Sequence, residues 1–272
     1  MSENSVLIDR QGHVATLTLN RPERHNAFDF PMMRKLGDTW RELAEDDQIR
    51  CVIVTGSGER AFCTGMDLGA VTGDEAESVA TTGMPLEQSP VFRLTALQNA
   101  CWKPVITAIN GMVCGGGFHF IADSDLVIAG ENATFFDNHV AMGLVAGLEP
   151  VGLARRIPLE SVFRLALLGG AERMTAQEAL GCGLVGEVLP AAQLMERAVK
   201  LAETISRHSP TALMRTKQAI WQSLDQGLHS SLENAWRLIG EHQPHPDASE
   251  GARAFNDKRP PSWNAVPEDL KK

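Results

Sequence analysis

The chain has 272 residues, a formal net charge of −9 and 43% hydrophobic against 22% charged residues, a globular profile long enough for one large domain with an accessory piece. It holds no block of five or more basic residues, which argues against nucleic acid; an anionic ligand would have to be met by local cations or backbone N–H groups. No apolar run nears the roughly 20 residues that span a bilayer, "MSENSVLIDRQG" lacks the basic and apolar regions of a signal peptide, and the five cysteines, Cys51, Cys63, Cys101, Cys114 and Cys182, are scattered without a C-x-x-C pair, so the expectation is a cytoplasmic protein with reduced thiols.

In chain order, "HVATLTLNRP" alternates Ala15, Leu17 and Leu19 against Val14, Thr16 and Thr18 until Pro22 stops it, the period of a half-buried strand. "FPMMRKLGDTWRELAEDD" places Met33, Leu36, Trp40 and Leu43 at helical spacing. "RCVIVTGSG" and "KPVITAING" are short continuous apolar runs, which read as buried strands. "FHFIADSD" reads as a helix, and "DLVIAGENATFF" as two short strands around a Gly-Glu-Asn turn. Strands and helices alternate over the first 140 residues in a strand, strand, helix rhythm, which predicts an α/β core.

Beyond about residue 148 the pattern becomes helical. "PVGLARRIPLESVFRLALLGG" is a helix broken at Pro158. Thr175 and Glu178 have capping-box spacing, and the helix they open ends near Gly181 or Gly183 before a short strand. Ser209 and Pro210 fit N-cap and N1 of a helix running to about Leu228. "SSLENAWRLIGEH" is another helix, and "HPDASEGARAFNDKRPPSW" a short helix with a Pro-rich end. The division this suggests is a core over residues 1–200 and a helical region over 201–272.

Gly115, Gly116 and Gly117 stand in a row between an apolar segment and the helix that carries His119. A phosphate loop would need G-x-x-x-x-G-K-[ST], and no lysine follows. The remaining reading is a strand-to-helix turn where backbone approaches something closely, since glycine has no Cβ and free φ. N–H groups at such a turn have the positive end of a helix behind them and suit a carbonyl oxygen that gains charge. "ERAFCTGMDLGAV" is a second glycine-bearing turn after a buried strand, and the two turns could each supply one N–H to one oxygen.

The ordered set "NRPERHNAF", "RAFCTGMDL", "INGMVCGGGFHF", "SDLVIAGENATFFDNHVAMGLV", "MTAQEALGCGLVGEVLP" and "AFNDKRPPSW" resembles the crotonase, or enoyl-CoA hydratase/isomerase, family across residues 5 to 263. The resemblance implies a spiral of ββα units with a C-terminal helical trimerisation region, an acyl-CoA thioester substrate with no further cofactor or metal, and a homotrimer or dimer of trimers. It also implies enolate-type chemistry under two main-chain donors, here Met66 and Gly116. The matching positions for CoA are Arg24 toward phosphates, His25 and Ala27 along the adenine side, and Asp67 and Leu68 where CoA folds back. Phe255 and Lys258 match a pair that touches the nucleotide from the same or a neighbouring subunit.

The chain departs from the family's hydratases at the two glutamates that activate water and deliver a proton. His119 and His139 stand there instead. Imidazole titrates near neutrality and suits proton transfer. Asp137 is close enough in sequence to orient His139 or to cap a turn. Glu149, a carboxylate in the otherwise apolar run from Leu144 to Val151, is the third acid/base candidate. Three readings stay open: a hydratase- or isomerase-like enzyme whose ordinary hydration is compromised, a hydrolase of a β-keto or related acyl-CoA, and a non-catalytic acyl-CoA-binding protein. The segment from Val71 to Pro90 is expected to line the acyl pocket.

Overall fold

A computed structural model of the chain describes residues 4–70, 89 and 93–271; the expected acyl-pocket segment lies, Ser89 apart, outside them. Strands β1 (Val6–Gln11) and β2 (Val14–Leu19) form an antiparallel hairpin. Gly12 turns it at φ +58, a left-handed value that favours glycine. The expected alternation of β2 holds, with Ala15, Leu17 and Leu19 fully buried. Helix α1 (Phe30–Glu45) starts where the Asp29 carboxylate accepts from Met32 N at 2.9 Å, which satisfies one of the open N–H groups of its first turn. Its inner face carries Met32, Met33, Leu36, Trp40 and Leu43, each contributing about 1.5–3 kcal/mol by burial. Trp40 Nε1 also donates to Leu94 O at 2.8 Å.

The chain then builds two sheets in parallel. Strand β3 (Cys51–Gly56) joins the first and β4 (Ala61–Cys63) the second. Strands β5 (Val105–Ile109) and β6 (Met112–Cys114) repeat the step, as do β7 (Leu126–Gly130) and β8 (Thr134–Phe136). β9 (Met174–Thr175) ends the second sheet and β10 (Glu187–Leu189) the first. The resulting orders are β1-β2-β3-β5-β7-β10 and β4-β6-β8-β9. β3, β5 and β7 run parallel, and so do β4, β6 and β8. Each turn of the chain therefore stacks on the last, which is the spiral. It also sets the C-terminal ends of β4, β6 and β8 side by side.

β1, β4 and β6 are strands that the sequence patterns alone did not separate. β4 and β6 have three residues each, too short to display a period, and β6 follows β5 after only Asn110 and Gly111. A Cβ on Gly111 would lie 2.8 Å from Arg60 O, so glycine is needed where the chain steps between sheets.

The core lies between the sheets and under α1. On the far face of the first sheet, Cys51, Ile53, Ile106, Ala108 and Ile128 pack against Leu194, Ala198 and Ala202 of α6, once the intervening helices are counted: α2 (His119–Ala122), α3 (Leu148–Leu153), α4 (Leu159–Leu167), α5 (Ala176–Gly181) and α6 (Leu194–Ser206). Pro158 is the N-cap of α4, and the Thr175/Glu178 capping box opens α5, which ends at Gly181. α6 spans residue 200 and lies on the first sheet. The C-terminal helices past it are α7 (Pro210–Ser223), α8 (Leu228–His242) and α9 (Asp247–Asn256). α7 is capped by Ser209 as expected but ends at Ser223 rather than near Leu228, and Leu228 opens α8. α7 is tied to the core by Lys217 Nζ and Trp221 Nε1, which reach the Asp125 carboxylate at 2.8 and 2.7 Å.

Among the described residues no helix is long and apolar enough to cross a membrane. All five cysteines are free.

Candidate active site

Two glycine-bearing turns leave the second sheet from neighbouring strands and touch each other. After β4, Gly65 has φ +82, and the chain beyond it pairs with Phe28. Phe28 N donates to Gly65 O at 2.8 Å and Asp67 N to Phe28 O at 2.9 Å. That pattern skips Met66 N–H, which has no backbone acceptor among the described residues. After β6, Gly115 (φ +51) opens the 3₁₀ turn Gly115–Phe118, all four residues of it buried. Gly116 N–H lies in the first turn, where no intrahelical acceptor exists. A Cβ on Gly65 would come within 2.7 Å of Gly116 N, and one on Gly116 within 2.6 Å of Phe28 Cζ. A Cβ on Gly117 would run into Cys63 O. The glycines let two backbones come into contact, and Met66 N–H and Gly116 N–H have no backbone acceptor among the described residues.

Two histidines and two carboxylates follow these turns in the chain. His119 opens α2 and is buried. Its Nε2 lies 3.4 Å from Glu149 Oε1, and its Nδ1 lies 3.2 Å from Gln98 Nε2. Glu149 is buried in the first turn of α3, which packs against α2. His139 follows β8. Its ring Nδ1 is 2.9 and 3.1 Å from the two Asp137 oxygens, and Asp137 Oδ1 also accepts from His139 N at 2.8 Å. Asp137 thus both caps the turn and orients the ring. A Cβ on Gly115 would lie 3.3 Å from His139 Cε1, so the ring rests on the glycine turn.

The hydrogen bond from Asp137 raises the His139 pKa above its ordinary value; burial opposes it, and the charges of Asp137 and Glu149 add to the rise. Glu149 therefore sits within electrostatic reach of both histidines. Residues 20 or more positions apart meet because β6 and β8 are neighbours.

The two thiols beside the turns are spectators. Burial pushes Cys63 up to about 12 and Cys114 up to about 11, so neither supplies a thiolate near neutral pH. Among the described residues no three His, Cys, Asp or Glu side chains are placed to hold a metal.

The segment carrying Arg24, His25 and Ala27 wraps the rim beside β3 and β4. His25 and Asn26 have φ +53 and +55, costly for side-chain-bearing residues and held here by tertiary bonds. The buried Asn26 amide donates to Ser57 O and Ala61 O at 2.9 and 2.8 Å and accepts from Arg21 N at 3.0 Å. Arg21 bridges Asp67 at 2.9 Å and Asp29 at 3.2 Å, and donates to Ala27 O at 2.6 Å. The Asp67 side chain is thereby engaged. The Arg24 side chain is exposed and forms no hydrogen bond or ion pair among the described residues, and Leu68 beside Asp67 is exposed.

Phe255, 84% exposed, lies near the end of α9, and Lys258 just beyond it has φ +53. No hydrogen bond or ion pair among the described residues joins that pair to the Arg24 segment. Arg21 and Asn26 were visible in "NRPERHNAF" but carry no chemical mark of their own. Gln98 had no local signal, because it reaches His119 from 21 positions away.

Parallel strands of a spiral, with paired N–H groups and acid/base side chains at their C-terminal ends, define a class of enzyme site. The family model for enoyl-CoA hydratase/isomerase matches residues 9–266. The chain is 34% identical over 262 residues to the (E)-benzylidenesuccinyl-CoA hydratase of Thauera aromatica, covering 96% of this chain and 99% of that one. It is similar in structure to an enoyl-CoA hydratase/isomerase from Mycobacterium paratuberculosis, with TM-score 0.85, 37% identity and coverage of 97% and 99%. An enoyl-CoA hydratase from Bacillus anthracis superposes with TM-score 0.86 at 31% identity, covering 95% and 98%. The chain belongs to the enoyl-CoA hydratase/isomerase family, within the crotonase superfamily, and is an enzyme of that family.

Proposed function

We propose that this enzyme binds an acyl-CoA thioester with its carbonyl oxygen on the N–H groups of Met66 and Gly116, and transfers a proton at Cα using His119, His139 and Glu149. The observation that carries this reading is the contact of the Gly65 and Gly116 backbones, with the His139 ring against the same turn. Fixed donors stabilise a developing enolate without reorganising, and one such donor is worth about 10²–10³ in rate. CoA lies over Arg24, His25, Ala27, Asp67 and Leu68, with Phe255 and Lys258 closing on the nucleotide from a neighbouring subunit of a homotrimer or dimer of trimers. Substrate and protein chain suffice, with no further cofactor, and the setting is the cytoplasm.

The reaction class is that of the named relatives, addition or elimination across Cα and Cβ, or isomerisation. With histidines in place of both glutamates, the chemistry favoured is that which needs a polarised carbonyl and one base. The test is crotonyl-CoA hydration measured beside α-deuterium exchange on a saturated acyl-CoA. Exchange is expected to outpace hydration. Hydration at the rate of a two-glutamate hydratase would overturn this assignment of roles, and binding without either reaction would mark a non-catalytic acyl-CoA-binding protein.

A second reading has its own support. An imidazole backed by a buried carboxylate, as in His139 and Asp137, is suited to activating water, so hydrolysis of a β-keto acyl-CoA belongs in the same substrate panel.

A further inference from the structure

The groups around His119 fix where its proton sits. Gln98 lies in the 3₁₀ turn Leu97–Asn99, and its Oε1 accepts from Leu94 N at 2.8 Å. That bond assigns the amide: oxygen toward Leu94, nitrogen toward His119. Nε2 stands 3.2 Å from His119 Nδ1. An amide NH₂ has two protons and no lone pair to offer, so the ring nitrogen facing it must accept. Only the neutral imidazole protonated on Nε2 presents a lone pair at Nδ1.

On the other side of the ring, Nε2 lies 3.4 Å from Glu149 Oε1, an oxygen that, as a carboxylate, can only accept. The opposite tautomer would set N–H against N–H at Gln98 and lone pair against lone pair at Glu149, inside a site where His119 and Glu149 are both buried and unmade bonds are not replaced by water.

We propose that Gln98 locks His119 as the Nε2–H tautomer, that His119 is a positioning residue donating to Glu149 Oε1, and that the carboxylate of Glu149 is the acceptor of the substrate's proton. The assignment rests on the acyl-CoA reading above for the identity of the substrate. In the step, the Cα–H bond breaks and an O–H bond forms on Glu149 Oε2. The electron pair moves into the thioester carbonyl, whose oxygen is held by Met66 and Gly116 N–H. His119 keeps its proton throughout. A ring in this tautomer has its only lone pair turned to Gln98 and cannot itself take the Cα proton, so the side chain three residues past Gly116 serves here to aim a carboxylate from another helix.

The experiment has one arm without substrate and one with it. Protein labelled with ¹⁵N-histidine, with the His119 signals assigned by their loss in His119→Gln, is expected to show Nδ1 bare and Nε2 protonated near neutral pH. In Gln98→Glu a carboxylate faces Nδ1, and the proton is expected there. A proton on Nδ1 in the wild type overturns the proposal whether or not any reaction is found. In the second arm, α-deuterium exchange is expected to fall by about 10²–10⁴ in Glu149→Gln, the weight of a general base. In His119→Gln, whose amide can donate but cannot act as a base, it is expected to fall by about tenfold, the weight of one hydrogen bond. Equal losses in the two variants would make His119 the base and reject the role given to Glu149. No exchange in the wild type would defeat the functional reading and the Glu149 step with it, while the tautomer would still be decided by the spectra.

Discussion

At the scale of single residues, His139 and the glycines make separable predictions. The Asp137 hydrogen bond raises the His139 pKa, with burial opposing and the Asp137 and Glu149 charges assisting. A raised pKa means that the stability His139 contributes is fully present below the ordinary imidazole value of about 6.5. It is lost as pH rises through the folded-state value. Asp137→Asn should therefore lower the His139 pKa and move the matching limb of the kcat/KM profile toward lower pH. An unmoved limb would show that the titration belongs to another group. Gly65→Ala tests the two-donor contact directly. The position has φ +82, and its Cβ would meet Gly116 N at 2.7 Å. Displacing one N–H should cost about 10²–10³ in kcat while CoA affinity, measured by calorimetry, changes little. A variant with unchanged kcat would remove the donors from the mechanism.

At the scale of elements, the clearest sequence signals were those with local physics. Ser209 caps α7, accepting from Ala212 N at 3.2 Å, and its hydroxyl also donates to the buried Asp247 of α9 at 2.6 Å. Ser209→Ala should destabilise the protein by about 1–2 kcal/mol through the lost cap, with Asp247 losing a donor as well. Thermal unfolding that matches the wild type would show that this joint between α7 and α9 carries no weight. The same locality explains what was legible. The period of β2, the stripe of α1, the Thr175/Glu178 box and the Ser209-Pro210 start can all be read from neighbours in sequence. β4, β6 and β9 could not, because strands of two or three residues have no period and exist only by pairing. At the site, the positions of Met66, Gly116, His119 and His139 followed from the family's motifs. Their contacts did not, because Gln98 and Glu149 approach His119 from separate turns of the spiral, and no spacing encodes a distance across it.

At the scale of the whole molecule, two apolar stripes lie uncovered among the described residues. On α8, Leu228, Leu232, Trp236 and Ile239 are 76%, 60%, 75% and 52% exposed, at a spacing that puts them on one face. On α4, Leu159, Phe163 and Leu167 are 58%, 54% and 65% exposed and also lie on one face. Large contiguous apolar faces on a water-soluble surface mark contact sites. Two different stripes on different helices suit a heterologous contact, which forms a ring where its rotation closes. Light scattering at micromolar concentration should give a trimer or a multiple of it. Trp236→Glu, which sets a charge in the middle of the α8 stripe, should weaken assembly by about 2 kcal/mol or more if Trp236 is a central anchor. A monomeric wild type would end the argument. Assembly should matter to binding as well as to stability. Phe255 and Lys258 are exposed and, among the described residues, form no hydrogen bond or ion pair with the Arg24 segment, and in the proposed arrangement they close on a neighbouring subunit's CoA site. Arg24→Glu and Lys258→Glu should each weaken CoA binding in every site of their own assemblies. Unfolding and refolding the two variants together should then restore a fraction of sites to wild-type affinity, since a mixed assembly contains some sites built from one intact Arg24 and one intact Lys258. Mixtures no better than either parent would place both residues on the same subunit's site and undo the cross-subunit arrangement.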